Sequence, residues 1–347
     1  MTHAVRTETM SSRERILAAL SGEEVDRFPV WLKMTNSTWR SSQPESVRSM
    51  PDEDLLRAAG CDLLLGCGVH AQADTPHVEH HHERINGLRR HTMTTPDGTL
   101  VAENSLDPYT NSWHPTKFPI GSLDDLKIAR WLFRDTTYRV DPGDAENARG
   151  RQAELVAQDA VSNCGIGPGP LMDLVEHQVG PQNTVYFMHD APDLFEEVIA
   201  LMHADRLRRL EATLPHVPSD TFWLTENTST TLISPAMFAQ YCIPHLEAYG
   251  SLVREHGIIA VHHMCGTLNA LLEEIDKLPA QVNEAFTTRP VGDCSLAEGR
   301  TRMPSKALIG GTNATLWLAP VDTIVAEVAE DLARCPDRRR IFLTSAG

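Results

Sequence analysis

Short apolar runs alternate along this chain with longer stretches in which apolar residues recur every three to four positions. The runs at 30–34, 61–67, 160–166, 221–227, 258–264, 281–286, 306–312 and 340–344 predict strands. Between them, helical spacing predicts helices at 11–20, 52–59, 122–133, 144–159, 192–214, 235–256, 268–275, 296–302 and 319–335. Ser11 and Glu14 form a capping box at the first of these. A ninth strand-like run, 184–188, is assigned to a helix entry or an edge segment. Eight strands alternating with helices predict an α/β protein, a (β/α)8 TIM barrel.

The period changes once. From about 76 to 106, short polar–apolar alternations around Pro96-Asp97-Gly98 predict a β-hairpin insertion after the second strand. No Pro/Gly/Ser-rich linker divides residues 1–347, so a single barrel domain is expected. After the eighth strand the sequence as given stops at Gly347, so the final helix is missing. The expectation is a chain cut short there, with another element covering the gap as the alternative.

Charge and cysteine usage narrow the partners. A formal charge of −16 argues against nucleic acid or an anionic membrane as partner. Residues 1–10 lack the apolar core of a secretory signal, and no run reaches about 18 apolar residues, so the cytoplasm is expected. The seven cysteines are scattered and odd in number, a pattern of reduced thiols rather than of a disulfide framework. Neither a dinucleotide fingerprint nor a P-loop is present.

In such barrels the chemistry sits at the C-terminal ends of the strands. Those ends carry Glu226, Asn227, His262, His263, Cys265, Glu284, Thr312 and Asn313, with Asn36 and Asp190 as weaker candidates. His263 and Cys265 are two positions apart at the end of an apolar strand and therefore share a face. An imidazole beside a thiol suits a soft divalent metal, Zn²⁺ first. Glu226, after an apolar run, is a candidate metal ligand or proton carrier, or the cap of the following turn. Gly165-Ile-Gly-Pro-Gly169 reads as a tight turn over the barrel mouth and is weak as a phosphate loop. His77, His80, His81, His82 and His91 crowd the insertion and read as solvated hairpin surface, since strand neighbours point in different directions.

Four ordered segments resemble the uroporphyrinogen decarboxylase superfamily, especially its cobalamin-dependent (corrinoid) methyltransferase branch. They are the stretch from Arg13 to Val30, Leu232-Ile-Ser-Pro-Ala-Met-Phe238 with Pro244, His263-Met-Cys265-Gly266, and Ser295-Leu-Ala-Glu-Gly-Arg300 followed by Ile309-Gly-Gly-Thr-Asn313. The decarboxylases carry an arginine-rich segment after the first strand, where this chain has Lys33-Met-Thr-Asn-Ser-Thr-Trp-Arg40. Without an arginine pair, the tetrapyrrole carboxylates would lack their charge-assisted clamps.

The resemblance implies a zinc-dependent methyltransferase that moves a methyl group between a corrinoid carrier protein and a small-molecule thiol or methylated substrate. A decarboxylase-like lyase and a non-catalytic barrel binding protein are the alternatives. It further implies Zn²⁺ on His263, Cys265 and a distant cysteine that would directly follow Gly347. That third ligand is absent from the chain as given: if the natural protein continues past Gly347 the site is complete, and if it ends there Glu226, Cys294 or another group would have to serve. Asn227 and Asn313 are the expected cofactor contacts.

Overall fold

The structure, a computed structural model, describes residues 8–345. Fourteen strands are present among them. Eight are parallel and form the barrel: β1 (Val30–Trp31), β2 (Leu64–Gly66), β9 (Val161–Ile166), β10 (Thr221–Thr225), β11 (Ile259–His263), β12 (Val282–Thr287), β13 (Ala307–Thr312) and β14 (Ile341–Thr344). Their order is β1-β14-β13-β12-β11-β10-β9-β2. The seam between β1 and β2 is bridged by the Asp62 amide donating to the Val30 carbonyl, 2.7 Å. The Val30 amide returns a bond to the Asp62 carboxylate, 2.9 Å. These are the eight strands expected from the pattern, and the 184–188 run lies inside the helix Pro181–Asp190.

Strand alternation sorts the barrel residues into two layers. Leu64, Val161, Val261, Val282, Ile309 and Phe342 point inward and pack with Ile16 and Leu20 of the helix Ser12–Ser21. That helix plugs the N-terminal end of the barrel. Arg13 pairs there with Asp220, and Arg15, 1% exposed, pairs with Asp26 and the fully buried Asp62. Phe222, Leu224 and Ala260 point outward into the helical layer with Leu210, Tyr249 and Val253. With its base closed, the barrel is accessible at its C-terminal mouth.

The insertion is larger than the hairpins read from the sequence. β4 (Glu79–Ile85), β5 (Leu88–Thr95), β6 (Gly98–Asp107) and β7 (Ser112–Lys117) form an antiparallel sheet. β3 (Ala71–Asp74) pairs separately with β8 (Thr137–Val140). β7 escaped the pattern because it is an edge strand holding Pro115, which lacks an amide hydrogen. Asn86 and Gly87 both have positive φ, the geometry of a two-residue hairpin turn that matches strand twist.

On the outer face of β14 and β1, Val30, Leu32, Ile324, Val328, Leu332 and Leu343 border an apolar cleft of about 310 Å³. No helix among the described residues is long and apolar enough to cross a membrane. None of the seven cysteines is in a disulfide.

Candidate active site

β11 delivers the first two groups. Val261 points inward, so His263, two positions on, also points inward but at the mouth. The chain leaves the strand at Met264, and Cys265 is exposed beside His263. The turn is tight because the next residue is glycine: a Cβ on Gly266 would collide with the side chain and Cα of Ser229 in the neighbouring loop. The Thr267 amide donates to Ser229 Oγ at 3.1 Å, and the Thr230 amide to the Thr267 carbonyl at 3.0 Å. These contacts lock the loops after β10 and β11 together.

β12 supplies the partner of His263. Glu284 is in register with His263 across the parallel pair, and its fully buried carboxylate accepts a hydrogen bond from His263 Nδ1. Lys33, just past β1, reaches the same carboxylate at 3.1 Å. The pairing of β12 with β13 shifts register after Glu284, where Ala285 takes a left-handed backbone, the kind of bulge that re-aims a side chain. Burial alone would push His263 down, but hydrogen bonds with Cys265 and Glu284 more than offset it and raise the imidazole to about 9. Burial alone would raise Glu284, yet the His263 hydrogen bond and the Lys33 charge hold it below its ordinary range. The Glu284 carboxylate therefore holds the His263 ring at Nδ1, with Cys265 as its second neighbour.

On the other side of Cys265 stands Asn227. Its backbone is left-handed (φ 50°), its Oδ1 accepts from the Cys265 thiol at 3.7 Å, and its Nδ2 donates to Glu176 at 2.9 Å. Glu176 lies in a π-helical turn, Leu174–Gln178, a distortion common at functional sites. Burial raises its carboxyl above the ordinary value, against the Asn227 hydrogen bond. Lys33, His263, Cys265, Phe286, Thr312 and Thr344 are among the residues lining a cleft of about 390 Å³, small-molecule size.

The remaining sequence candidates sit elsewhere. Glu226 continues the outward face of Phe222 and Leu224, so its carboxylate enters the helical layer. There it accepts from the Gly169 amide at 2.7 Å and lies beside the Cys242 thiol. It does not join His263 and Cys265 as a ligand. The same bond uses the last amide of the Gly165–Gly169 turn. Asn313 is consumed by loop packing: Nδ2 donates to Thr288 and Arg289 of the loop after β12, and Oδ1 accepts from Thr315 and Leu316 of its own loop. His262 alternates outward and is buried. Cys294 is buried beside Asp293, where burial and that carboxylate push its thiol up to about 12. Asn36 caps the short helix Ser37–Ser41, and Asp190 is exposed beside His189.

Glu284 stands among the strand-end candidates, but its partnership with His263 was not foreseen. Its signal was the parallel phase of Val261–His263 and Val282–Glu284. Lys33 and Glu176 were missed as site residues, and a one-residue bulge inside a helix leaves no trace in the apolar period.

A family model, uroporphyrinogen decarboxylase (URO-D), matches residues 167–347. The chain belongs to the uroporphyrinogen decarboxylase family. In fold this family member is similar to a methyltransferase from Methanosarcina mazei, at 18% identity and a TM-score of 0.57, over 97% of this chain and 93% of that one. A lesser likeness is to a Listeria monocytogenes protein described as a candidate vitamin-B12 independent methionine synthase. It is 14% identical with a TM-score of 0.35, over 56% of this chain and 62% of that one. No curated protein matches the chain by sequence.

A zinc ion can be tested against this uroporphyrinogen decarboxylase family member by its donors. His263 Nε2 and Cys265 Sγ fit Zn²⁺ in kind, and a carboxylate behind the imidazole is the usual support of a metal-bound histidine. In number they fall short, because no three His, Cys, Asp or Glu side chains among the described residues form a metal-holding group. Gly347, which the expected third ligand would follow, lies outside the described residues.

Proposed function

We propose that this protein is a methyltransferase that moves a methyl group between a corrinoid carried by a separate protein and a small-molecule thiol or methylated substrate. The reading rests on one observation: His263, oriented by buried Glu284, stands beside an exposed Cys265 at the barrel mouth. His263 and Cys265 would hold Zn²⁺ there, and the ion would lower the pKa of a substrate thiol so that a thiolate is available at neutral pH.

The chain's own groups prepare that event. Glu284 accepts from Nδ1, which fixes the ring and leaves Nε2 as the nitrogen that would hold a metal once deprotonated. Lys33 balances the buried carboxylate, so the imidazole is held without an unpaired charge beneath it. Asn227 holds the Cys265 thiol on one side, and the Gly266 contact with Ser229 keeps that thiol at the mouth.

The likeness of fold to a methyltransferase is compatible with this reading, and the cation census favours it over porphyrinogen decarboxylation. Arg40 is occupied by the carbonyls of Arg48 and Met50 and by Asp52, which leaves Lys33 as the lysine or arginine lining the cleft. A substrate with many carboxylates would find few clamps there.

The test is methyl transfer from methylcobalamin to a panel of thiols, with zinc measured in the same preparations. His263→Ala and Cys265→Ser are expected to lose both zinc and transfer while the far-UV circular dichroism is unchanged. Transfer that survives both substitutions overturns the reading.

A further inference from the structure

A further cleft lies on the outer side of the barrel wall, between the loop after β2, the end of β9 and the helix Pro192–Thr213. It encloses about 300 Å³ and shares no lining residue with the cleft at the mouth. Val69, Ile166 and Phe222 give it apolar walls, and Arg209 gives it a charge. Ile166 and Phe222 pack in the outward layer, which puts the cleft in the helical shell and not in the barrel interior.

Arg209 is half-buried, yet among the described residues its guanidinium has neither an ion pair nor a hydrogen bond. The carboxylates whose charge it feels are engaged elsewhere. Asp205 accepts from the Tyr138 hydroxyl at 2.8 Å and from Arg208 at 3.2 Å. Asp173 accepts from Gln178 at 3.3 Å and from Arg206 at 3.4 Å. Burial first, and then the like charge of Arg206, pull Arg209 below the usual arginine range. A guanidinium withdrawn from water without a partner costs free energy, and an anion in the cleft would offset that cost. The amides of Gly68, Val69 and His70 border the same cleft, and among the described residues they donate no hydrogen bond.

We propose that this cleft is a binding site for a small organic carboxylate, separate from the barrel mouth. The planar fork of Arg209 matches a carboxylate with two parallel N–H···O bonds. Val69, Ile166 and Phe222 would receive a short apolar body behind the carboxylate, the usual division of labour in a small-molecule pocket. A phosphate dianion fits less well, because Arg209 is the one lysine or arginine among the lining residues. The loop that closes the cleft runs from β2 into β3, so an occupied site would tie the insertion, the barrel wall and the helix together.

The experiment uses the full chain at fixed ionic strength, with acetate, butyrate and inorganic phosphate as probes in calorimetric titration, and no readout involves methyl transfer. Butyrate should bind more tightly than acetate or phosphate. Arg209→Met removes the fork and keeps the stem, and should weaken butyrate about 10-fold or more, the size of one charge-assisted hydrogen bond. Without ligand, its thermal midpoint should equal or exceed that of the wild type, since no partner within the protein is lost. Bound butyrate should slow maleimide alkylation of Cys164, which lines the cleft, and leave exposed Cys265 unaffected. Equal butyrate affinity in Arg209→Met and wild type would overturn the proposal. So would a lower midpoint in Arg209→Met, the mark of a structural arginine, or tighter binding of phosphate. Protection of Cys265 in place of Cys164, or no butyrate binding at millimolar concentration, would overturn it as well.

Discussion

Glu226 offers the sharpest test of the way the strands sort their side chains. It is 1% exposed, and burial raises its carboxyl from 4.5 to about 7, against the hydrogen bonds from Gly169 and Cys242 and with a further push from Glu176. A carboxyl whose folded value exceeds its unfolded value retains its proton longer in the native state. Stability is therefore full below 4.5 and declines as pH rises, until the loss saturates above about 7. The interval corresponds to about 3 kcal/mol, and the larger part accrues between about pH 5 and 8.

Glu226→Gln keeps the shape and an oxygen to accept from Gly169 but cannot ionise. Urea unfolding of both proteins at about pH 5 and about pH 8 should show the variant gaining about 2–3 kcal/mol on the wild type across that interval. Other titrating groups cancel in the difference, because distant sites contribute additively. A difference that does not change with pH would refute the claim that this carboxyl is sealed in the helical layer. It would also reopen Glu226 as a group at the mouth.

Two further predictions concern opposite ends of the barrel. Gly266→Ala must push the loop after β11 away from Ser229, and overpacking of this kind costs about 1–3 kcal/mol. It should also displace Cys265 and reduce transfer about 100-fold, as misplacements of about 1 Å do. Wild-type kinetics in that variant would show that the contact does not hold the thiol. Arg15→Met leaves the buried carboxylates of Asp26 and Asp62 without their shared guanidinium. A loss of about 3–5 kcal/mol in urea unfolding is expected, with transfer at low temperature retained because the network lies at the base. A stability within about 0.5 kcal/mol of wild type would mean that Arg27 alone balances Asp62.

Much of the architecture is legible in one dimension because it is periodic. The eight apolar runs, the helices between them and the Ser11 capping box arise from local spacing and are found in the structure as read. His263 and Cys265 share a face for the same reason, since alternation along one strand needs no partner. Where the reading failed, a second segment was involved. Phase within its own strand turns Glu226 outward, but only the positions of Gly169 and Cys242 show what it meets there. Glu284 reaches His263 through register between two strands, and Glu176 reaches Asn227 from a bulge in a helix roughly fifty residues away. The histidines of the insertion looked dispersed because neighbours along a strand diverge, while the antiparallel register returns His91 to His82. The sequence by itself determined the alternation of elements and the His-x-Cys-Gly turn, because these depend on residues close along the chain. The tertiary structure alone decided which carboxylate stands behind His263, what Glu226 meets in the helical layer and which imidazoles meet. Those outcomes follow from the registers and packing of segments distant in sequence, which no local period encodes.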